Sequence, residues 1–193
     1  MKLSKRGEYA LRTLINLGIA AEVKRALVQV AELAENERLP VKFLEQIMQT
    51  LKDGGLIKSE RGKFGGYRLA RTANKITIGE VVRLVDGPLA PIGCVSQSAY
   101  EKCTCPDEAH CGLRMLMLDV RNAISGILDR YSLADVVEVT LRKMRRDGVA
   151  LPFSTPVARP GRATRPTVAT SAAHPRLQPI EGLLSNLMTD YTI

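Results

Sequence analysis

Apolar residues recur with helical spacing through most of the first 146 positions, and the breaks between runs divide the chain into elements. Ser4 stands as an N-cap before a run in which Leu11, Leu14, Ile15 and Gly18 keep a 3.6-residue period, predicting a helix to about Ala21. A short amphipathic helix is predicted over 28–34, with Val30, Ala31, Leu33 and Ala34 inward and a turn over 36–40. A third helix follows from Val41 to about Asp53. Leu44, Ile47, Met48 and Leu51 fall at i, i+3, i+4 and i+7, which leaves Lys42, Glu45, Gln46 and Gln49 on the outer face. Gly54-Gly55 ends it. Two short stretches, 56–60 and 67–70, flank the glycine-rich basic segment 61–66 and predict a β-hairpin. Thr77 and Glu80 have capping-box spacing before a fourth helix ending at Asp86. After an irregular loop over 87–111, a long helix over 112–131 carries a broad stripe of Leu113, Leu116, Val120, Ile124, Ile127 and Leu128. Ser132 and Asp135 then open a last helix to about Arg146.

Helix, short helix, turn, helix and hairpin in this order make a winged helix-turn-helix: a mainly α fold with a small β wing. The expected organisation is a winged-helix domain over 1–86, a cysteine-rich loop over 87–111, two further helices over 112–147 and a tail over 148–193. Six of the ten prolines lie between Pro152 and Pro179, and that tail is expected to be disordered, with a short helix at 180–188.

Charge sharpens the picture. The chain has 193 residues and a net charge of +8, and residues 1–75 carry 15 Lys and Arg against 8 Asp and Glu. The polyanion-binding surface is therefore expected in the first third. A major groove admits one helix, and the third helix offers Lys42 to phosphate, Glu45 to cytosine N4 and Gln46 to adenine. Arg61 and Lys63 stand among glycines at the hairpin tip, where the backbone can come close to the sugar–phosphate wall and an arginine can enter a narrow minor groove. Aromatics are only 4% with no Trp, which argues against a carbohydrate or large aromatic ligand site. No nucleophile–base motif is present, so no enzyme is expected. The apolar run 14–21 is too short to span a bilayer, and no signal-type segment follows the basic start; a cytoplasmic protein is expected.

All four cysteines, Cys94, Cys103, Cys105 and Cys111, fall within 18 residues. In a cytosolic protein such a group points to metal or redox chemistry before structural disulfides. Three thiolates from one loop can hold an iron–sulfur cluster with a fourth ligand from elsewhere. Zinc and a metal-free thiol switch are the alternatives, although no paired Cys-x2-Cys ribbon is present.

Phe43-Leu44-Glu45-Gln46, Leu56, Arg61-Gly62 and Gly65-Gly66-Tyr67, with Met1-Lys2-Leu3-Ser4 and Tyr9-Ala10-Leu11-Arg12, resemble the IscR/NsrR/RirA family of bacterial iron–sulfur transcription regulators. The resemblance covers roughly residues 1–146. It implies a homodimer held by the long penultimate helix, a recognition helix beginning near Val41, and Arg61 as a minor-groove residue. It also implies an iron–sulfur cluster, 2Fe-2S or alternatively 4Fe-4S, on Cys94, Cys105 and Cys111. The Cys-Pro-x4-Cys-Gly-Leu segment is most similar to RirA-type members, and Cys103 is then surplus. Where IscR-type proteins place a ligand histidine this chain has Arg114. The acidic ligand of NsrR-type proteins, given by the partner's first helix, corresponds to Glu8, with His110 as a local alternative. The expected function is a promoter-binding regulator whose DNA affinity is set by its cluster. The alternative is a cluster-free winged-helix repressor responding to a metabolite or partner protein.

Overall fold

The computed structural model describes residues 3–62 and 64–154. Along the chain run α1 (Lys5–Glu22), α2 (Val30–Glu37), α3 (Val41–Asp53), β1 (Ile57–Glu60), β2 (Gly66–Leu69), α4 (Ile78–Asp86), α5 (Gly112–Arg130) and α6 (Leu133–Arg146).

Helix α1 starts where Ser4 predicts. The Ser4 hydroxyl accepts from Gly7 N–H at 2.9 Å, while Ser4 N–H donates to the Asp86 carboxylate at 2.8 Å and its hydroxyl donates to the same group. Gly7 makes room for this joint, since a Cβ there would lie 2.5 Å from Asp86 Oδ2. The buried face of α1 is wider than the predicted stripe. Ala10, Leu14, Leu17, Ile19 and Ala20 are buried, and Leu11 and Ile15 only partly so. The helix is central, packing against α4, α6, β2 and α3.

Helix α2 begins two residues later than expected and extends two residues into the anticipated turn, ending at Glu37 with Arg38–Pro40 non-helical. Val28 is not helical: it donates to Tyr67 O at 3.0 Å and accepts from Tyr67 N–H at 2.8 Å, adding a one-residue third strand to the free edge of β2. Ala31, expected inward, is exposed. Glu37 is buried in its place. Its carboxylate accepts from Asn16 Nδ2 and lies 2.6 Å from Arg12 Nη2, an ion contact without hydrogen-bond alignment. Asn36 Nδ2 donates to Asn16 Oδ1 at 3.0 Å, completing a polar lock between α1 and α2.

Helix α3 buries Leu44, Ile47, Met48 and Leu51 as its pattern requires. Each fully buried side chain of this size contributes about 1.5–3 kcal/mol. The hairpin pairs Ile57 with Leu69 through Glu60 with Gly66, antiparallel. Its tip depends on glycine: Gly62 has φ +115°, and a Cβ on Gly65 would meet Glu60 O at 2.2 Å.

Only half of the capping box expected at α4 forms. Thr77 Oγ1 accepts from Glu80 N–H at 3.1 Å, but the Glu80 carboxylate pairs with Arg71 instead. The Ser132–Asp135 box at α6 is complete. Beyond α6 the chain turns back, and Leu151 and Phe153 pack half-buried against the core. The boundary drawn at residue 147 is therefore too early: composition changes before packing ends, because local composition does not register a long-range contact. Residues 155–193, including the helix expected at 180–188 and His174, lie outside the described residues.

Candidate DNA interface and cysteine loop

The outer face of α3 presents Lys42, Glu45, Gln46 and Gln49, all exposed. Lys42, Glu45 and Gln46 are open to a ligand. Gln49 Nε2 donates to Asp53 Oδ1 at 2.7 Å and must exchange that bond to meet a base. Arg6, from the first turn of α1, donates to Thr50 Oγ1 at 2.6 Å and fixes the far end of α3 against α1. Arg61 is exposed at the hairpin tip; Lys63 lies outside the described residues. A cleft of about 430 Å³ separates wing from recognition helix, lined by Gln29 and Val30 of the α2 start, Lys52 of α3, and Ser59, Arg61 and Gly62 of the hairpin. The Val28–Tyr67 bridge ties the wing to the helix-turn-helix. Sequence periodicity missed it because a one-residue bridge has no period; the only trace was Gly66, whose missing Cβ leaves Val28 O its place.

The cysteine loop leaves the domain at Asp86 and runs to α5. Cys94 is 6% exposed, in a short 3-10 turn at Gly93–Val95. Arg121 of α5 donates to Val95 O at 2.9 Å and holds that turn against the helix. Cys103 Sγ accepts from Cys105 N–H at 3.3 Å, and Cys111, the N-cap of α5, accepts from Arg114 N–H at 3.4 Å. The Cys105 thiol is pushed up to about 11, first by its hydrogen bond with Cys103, then by desolvation and by Cys111. Cys94 is raised by burial, and secondarily by Cys103 and Glu108, against a smaller opposing effect of Arg114. Cys103, surplus to the family pattern, thus accepts a hydrogen bond from Cys105 N–H and lies within electrostatic reach of Cys94. Metal uptake by such protonated thiols must release protons.

Two further groups border the loop. The Tyr100 hydroxyl donates to the Glu108 carboxylate at 2.8 Å, and Arg114 Nε stands 3.1 Å from Glu108 Oε1 as an ion pair without hydrogen-bond alignment. Arg114 therefore anchors the loop to the first turn of α5. His110 is exposed, with Nδ1 2.6 Å from Asp107 Oδ2. Glu8 pairs with Lys5 at 2.7 Å and Arg12 at 3.7 Å on its own helix; the Lys5 hydrogen bond is the main cause holding its carboxyl below the usual range.

The donor set suits an iron–sulfur cluster in its chemistry: four soft thiols within one loop, all unbonded to one another as disulfides. Among the described residues no three His, Cys, Asp or Glu side chains converge on one point as a mononuclear centre would need. A cluster spreads its ligands over more than one iron and asks for a wider set.

Helix α5 has no buried residue in this chain, and Leu113, Met115, Leu116 and Ile127 are all more than half exposed. It is attached by Arg83, whose Nη1 and Nη2 lie 2.7 and 2.5 Å from the Asp129 carboxylate. No helix among the described residues is long and apolar enough to cross a membrane.

A winged helix with an exposed polar face on α3 and an arginine-bearing wing defines a DNA-binding transcriptional regulator. The chain belongs to the Rrf2 family: the model of that family, described as an iron-dependent transcriptional regulator, matches residues 3–139. It is 36% identical over 139 residues to an rrf2-like helix-turn-helix regulator of Rhodobacter capsulatus, spanning 70% of this chain and 91% of that protein. It is 30% identical over 140 residues to CymR of Bacillus subtilis, spanning 72% and 92%. The solved structure of CymR, the global cysteine regulator of B. subtilis, superposes with a TM-score of 0.60 over 72% of this chain and 98% of that one, at 29% identity. IscR of T. potens gives 0.57 over 78% and 93%, at 25% identity. These relatives are named as regulators of transcription, and this chain is likewise a regulator rather than an enzyme.

Proposed function

We propose that this regulator acts as a homodimer in the cytoplasm and that an iron–sulfur cluster, 2Fe-2S in the first instance, sets its affinity for promoter DNA. The observation that carries the reading is the gathering of four neighbouring thiols in the one loop joining the winged helix to α5. Cys94, Cys105 and Cys111 are the proposed loop ligands, with Cys103 as the rival of Cys105, and Glu8 of the partner subunit supplies an oxygen. A bound cluster would supply redox and iron responsiveness. The chain's own residues do the rest. Cys94 is pinned to α5 through Arg121, Cys111 opens α5, and the apolar stripe of α5 packs on a second copy. Holding the loop in one arrangement then fixes the spacing of two recognition helices, which must meet half-sites about 34–36 Å apart or a multiple of that. Lys42, Glu45, Gln46 and Gln49 face the major groove, and Arg61 and Lys63 the minor groove.

Single Cys→Ala variants, purified without oxygen and assayed for iron, sulfide and promoter binding, test this. Cys94→Ala and Cys111→Ala lose the cluster and the iron-linked change in DNA affinity. Of Cys103→Ala and Cys105→Ala, the one that loses the cluster identifies the third thiol. Protein without iron in any preparation, yet fully able to bind DNA, overturns the cluster reading. It leaves a cluster-free repressor, the reading to which the CymR likeness lends support.

A further inference from the structure

Among the described residues two buried side-chain polar atoms have no hydrogen-bond partner, Glu37 Oε2 and Arg114 Nε. Glu37 Oε2 has its ion contact with Arg12 inside the lock between α1 and α2. Arg114 stands at the cysteine loop. It is the third residue of α5, and its backbone N–H donates to Cys111 Sγ at 3.4 Å. Its guanidinium is within electrostatic reach of Cys94, where burial is the larger influence. One residue therefore borders both the first and the last of the proposed thiol ligands. Although 35% of the Arg114 side chain is exposed, Nε itself is closed to water. Glu108 Oε1 lies 3.1 Å away but out of line for the N–H, and both Glu108 oxygens accept from the Tyr100 hydroxyl at 2.8 Å. A buried N–H left without an acceptor bears its whole desolvation penalty and calls for an explanation. The carboxylate already beside it does not provide one. The remaining acceptors that this loop offers are sulfurs. A neutral thiol accepts weakly, whereas a sulfur carrying the negative charge of an iron–sulfur cluster is a strong acceptor for a cationic N–H. Hydrogen bonds to those sulfurs, together with net charge, set a cluster's reduction potential.

We propose that Arg114 is a positioning residue for the cluster: its Nε–H donates to a cluster sulfur and raises the potential at which the regulator responds. The proposal rests on the assignment of the loop as an iron–sulfur site and adds to it a residue outside the ligand set. A one-electron donor converts one ferric iron to ferrous. No bond to iron is made or broken, no proton is transferred, and the added negative charge falls partly on the sulfurs. The Nε–H bond and the guanidinium charge both favour that reduced form. The Glu108 carboxylate, as a neighbouring negative charge, disfavours it. The two ends of one ion pair should therefore move the potential in opposite directions.

The full chain, purified without oxygen and assayed for iron and sulfide, is titrated with dithionite, and the midpoint is read from visible absorption and from the paramagnetic resonance of the reduced form. Arg114→Met removes the N–H and the charge. It is expected to shift the ratio of reduced to oxidised protein roughly tenfold toward oxidised at a fixed poise, a fall of about 59 mV for a one-electron couple. Arg114→Lys keeps the charge without the Nε donor and recovers only part of that fall. Glu108→Gln keeps the shape, removes the carboxylate charge and raises the midpoint. A merely structural ion pair would loosen the loop from either end and give no such opposition of sign. A second readout is the electron–nuclear double resonance of the reduced protein in water and in deuterated water. One exchangeable-proton coupling seen in the wild type and in Glu108→Gln is expected to be missing from Arg114→Met. Full iron and sulfide in Arg114→Met with a wild-type midpoint overturns the role of Arg114 and leaves the cluster in place. If Arg114→Met holds no cluster, wild-type midpoints in both Arg114→Lys and Glu108→Gln overturn it equally. Wild-type protein that holds no iron overturns the cluster reading and this proposal together.

Discussion

Removing either end of the Arg12–Glu37 contact should cost very different amounts, although the interaction is the same. The Glu37 side chain is 6% exposed and that of Arg12 45%. Arg12→Ala leaves a buried carboxylate with Asn16 as its remaining donor. Stranding one partner of a buried pair costs about 3–5 kcal/mol, and the surviving Asn16 bond places this case near the lower end, about 3 kcal/mol. The guanidinium also lies 5.4 Å from the Tyr9 ring centroid, which adds about 0.5 kcal/mol to the loss. Glu37→Gln keeps the volume and the acceptor for Asn16, and releases Arg12 to water and to Glu8. It removes only a half-exposed ion contact, about 1 kcal/mol. At about 2–4 °C per kcal/mol for a chain of this size, the two variants, about 2.5 kcal/mol apart, should melt roughly 5–10 °C apart. The double variant should recover most of the Arg12→Ala loss, because no charge is left buried. Urea titrations followed by far-UV circular dichroism measure all three. Equal losses in the two single variants, or a double variant equal to their sum, would refute the argument.

Other expectations follow from separate features. A chain ending at Asp147 should lose about 1–3 kcal/mol relative to one ending at Ser154, because Leu151 and Phe153 are each about half-buried against the core; equal melting temperatures would show that this packing is idle. Gly66→Ala places a Cβ 2.7 Å from Val28 O, so the Val28–Tyr67 bridge should open, seen as faster amide exchange at Tyr67 and weaker DNA binding. The Asp129 carboxyl is held low, first by its hydrogen bond from Arg83. It therefore contributes stability above its unfolded value of about 3.9, and loses it as pH falls through the lower folded value. Screening at these partly exposed side chains limits the effect to about 1 kcal/mol or less, and Asp129→Asn should flatten the acid limb of a stability–pH curve below about pH 4. Leu116→Glu combined with Ile127→Glu should halve the mass in sedimentation without changing the helical spectrum; an unchanged mass would remove α5 from the interface.

Most elements were legible in the sequence because their signals are local. The α3 stripe, the Ser4 and Ser132 caps and the glycine-bounded hairpin each lie within about ten residues of their cause. What was not legible depends on pairing at a distance. Val28 reads as helix until Tyr67 is beside it, and Glu37 reads as a surface carboxylate until Asn16 and Arg12 are. Glu80 reads as a cap until Arg71 takes it. In the candidate site, spacing located the four cysteines but could not rank them. Cys103 and Cys105 differ by two positions in sequence, and only the folded loop shows Cys103 bonded to Cys105 and within electrostatic reach of Cys94. Arg121 and Arg114 carried no signal, because an arginine on an amphipathic helix looks alike whether it faces water or holds a loop.

The carboxylate of Asp86 has a consequence for how a signal could travel. It is the last residue of α4, and Gly87, at φ +86°, begins the cysteine loop. The same carboxylate fastens the opening of α1 through Ser4, one turn before Glu8. Root of loop and start of helix are thus a single hinge pin rather than two neighbouring parts. The two bonds from Ser4 to this carboxylate are a direct link between the base of the loop and the first turn of α1. Asp86→Asn or Ser4→Ala would weaken that two-residue link, seen as faster amide exchange in the first turn of α1.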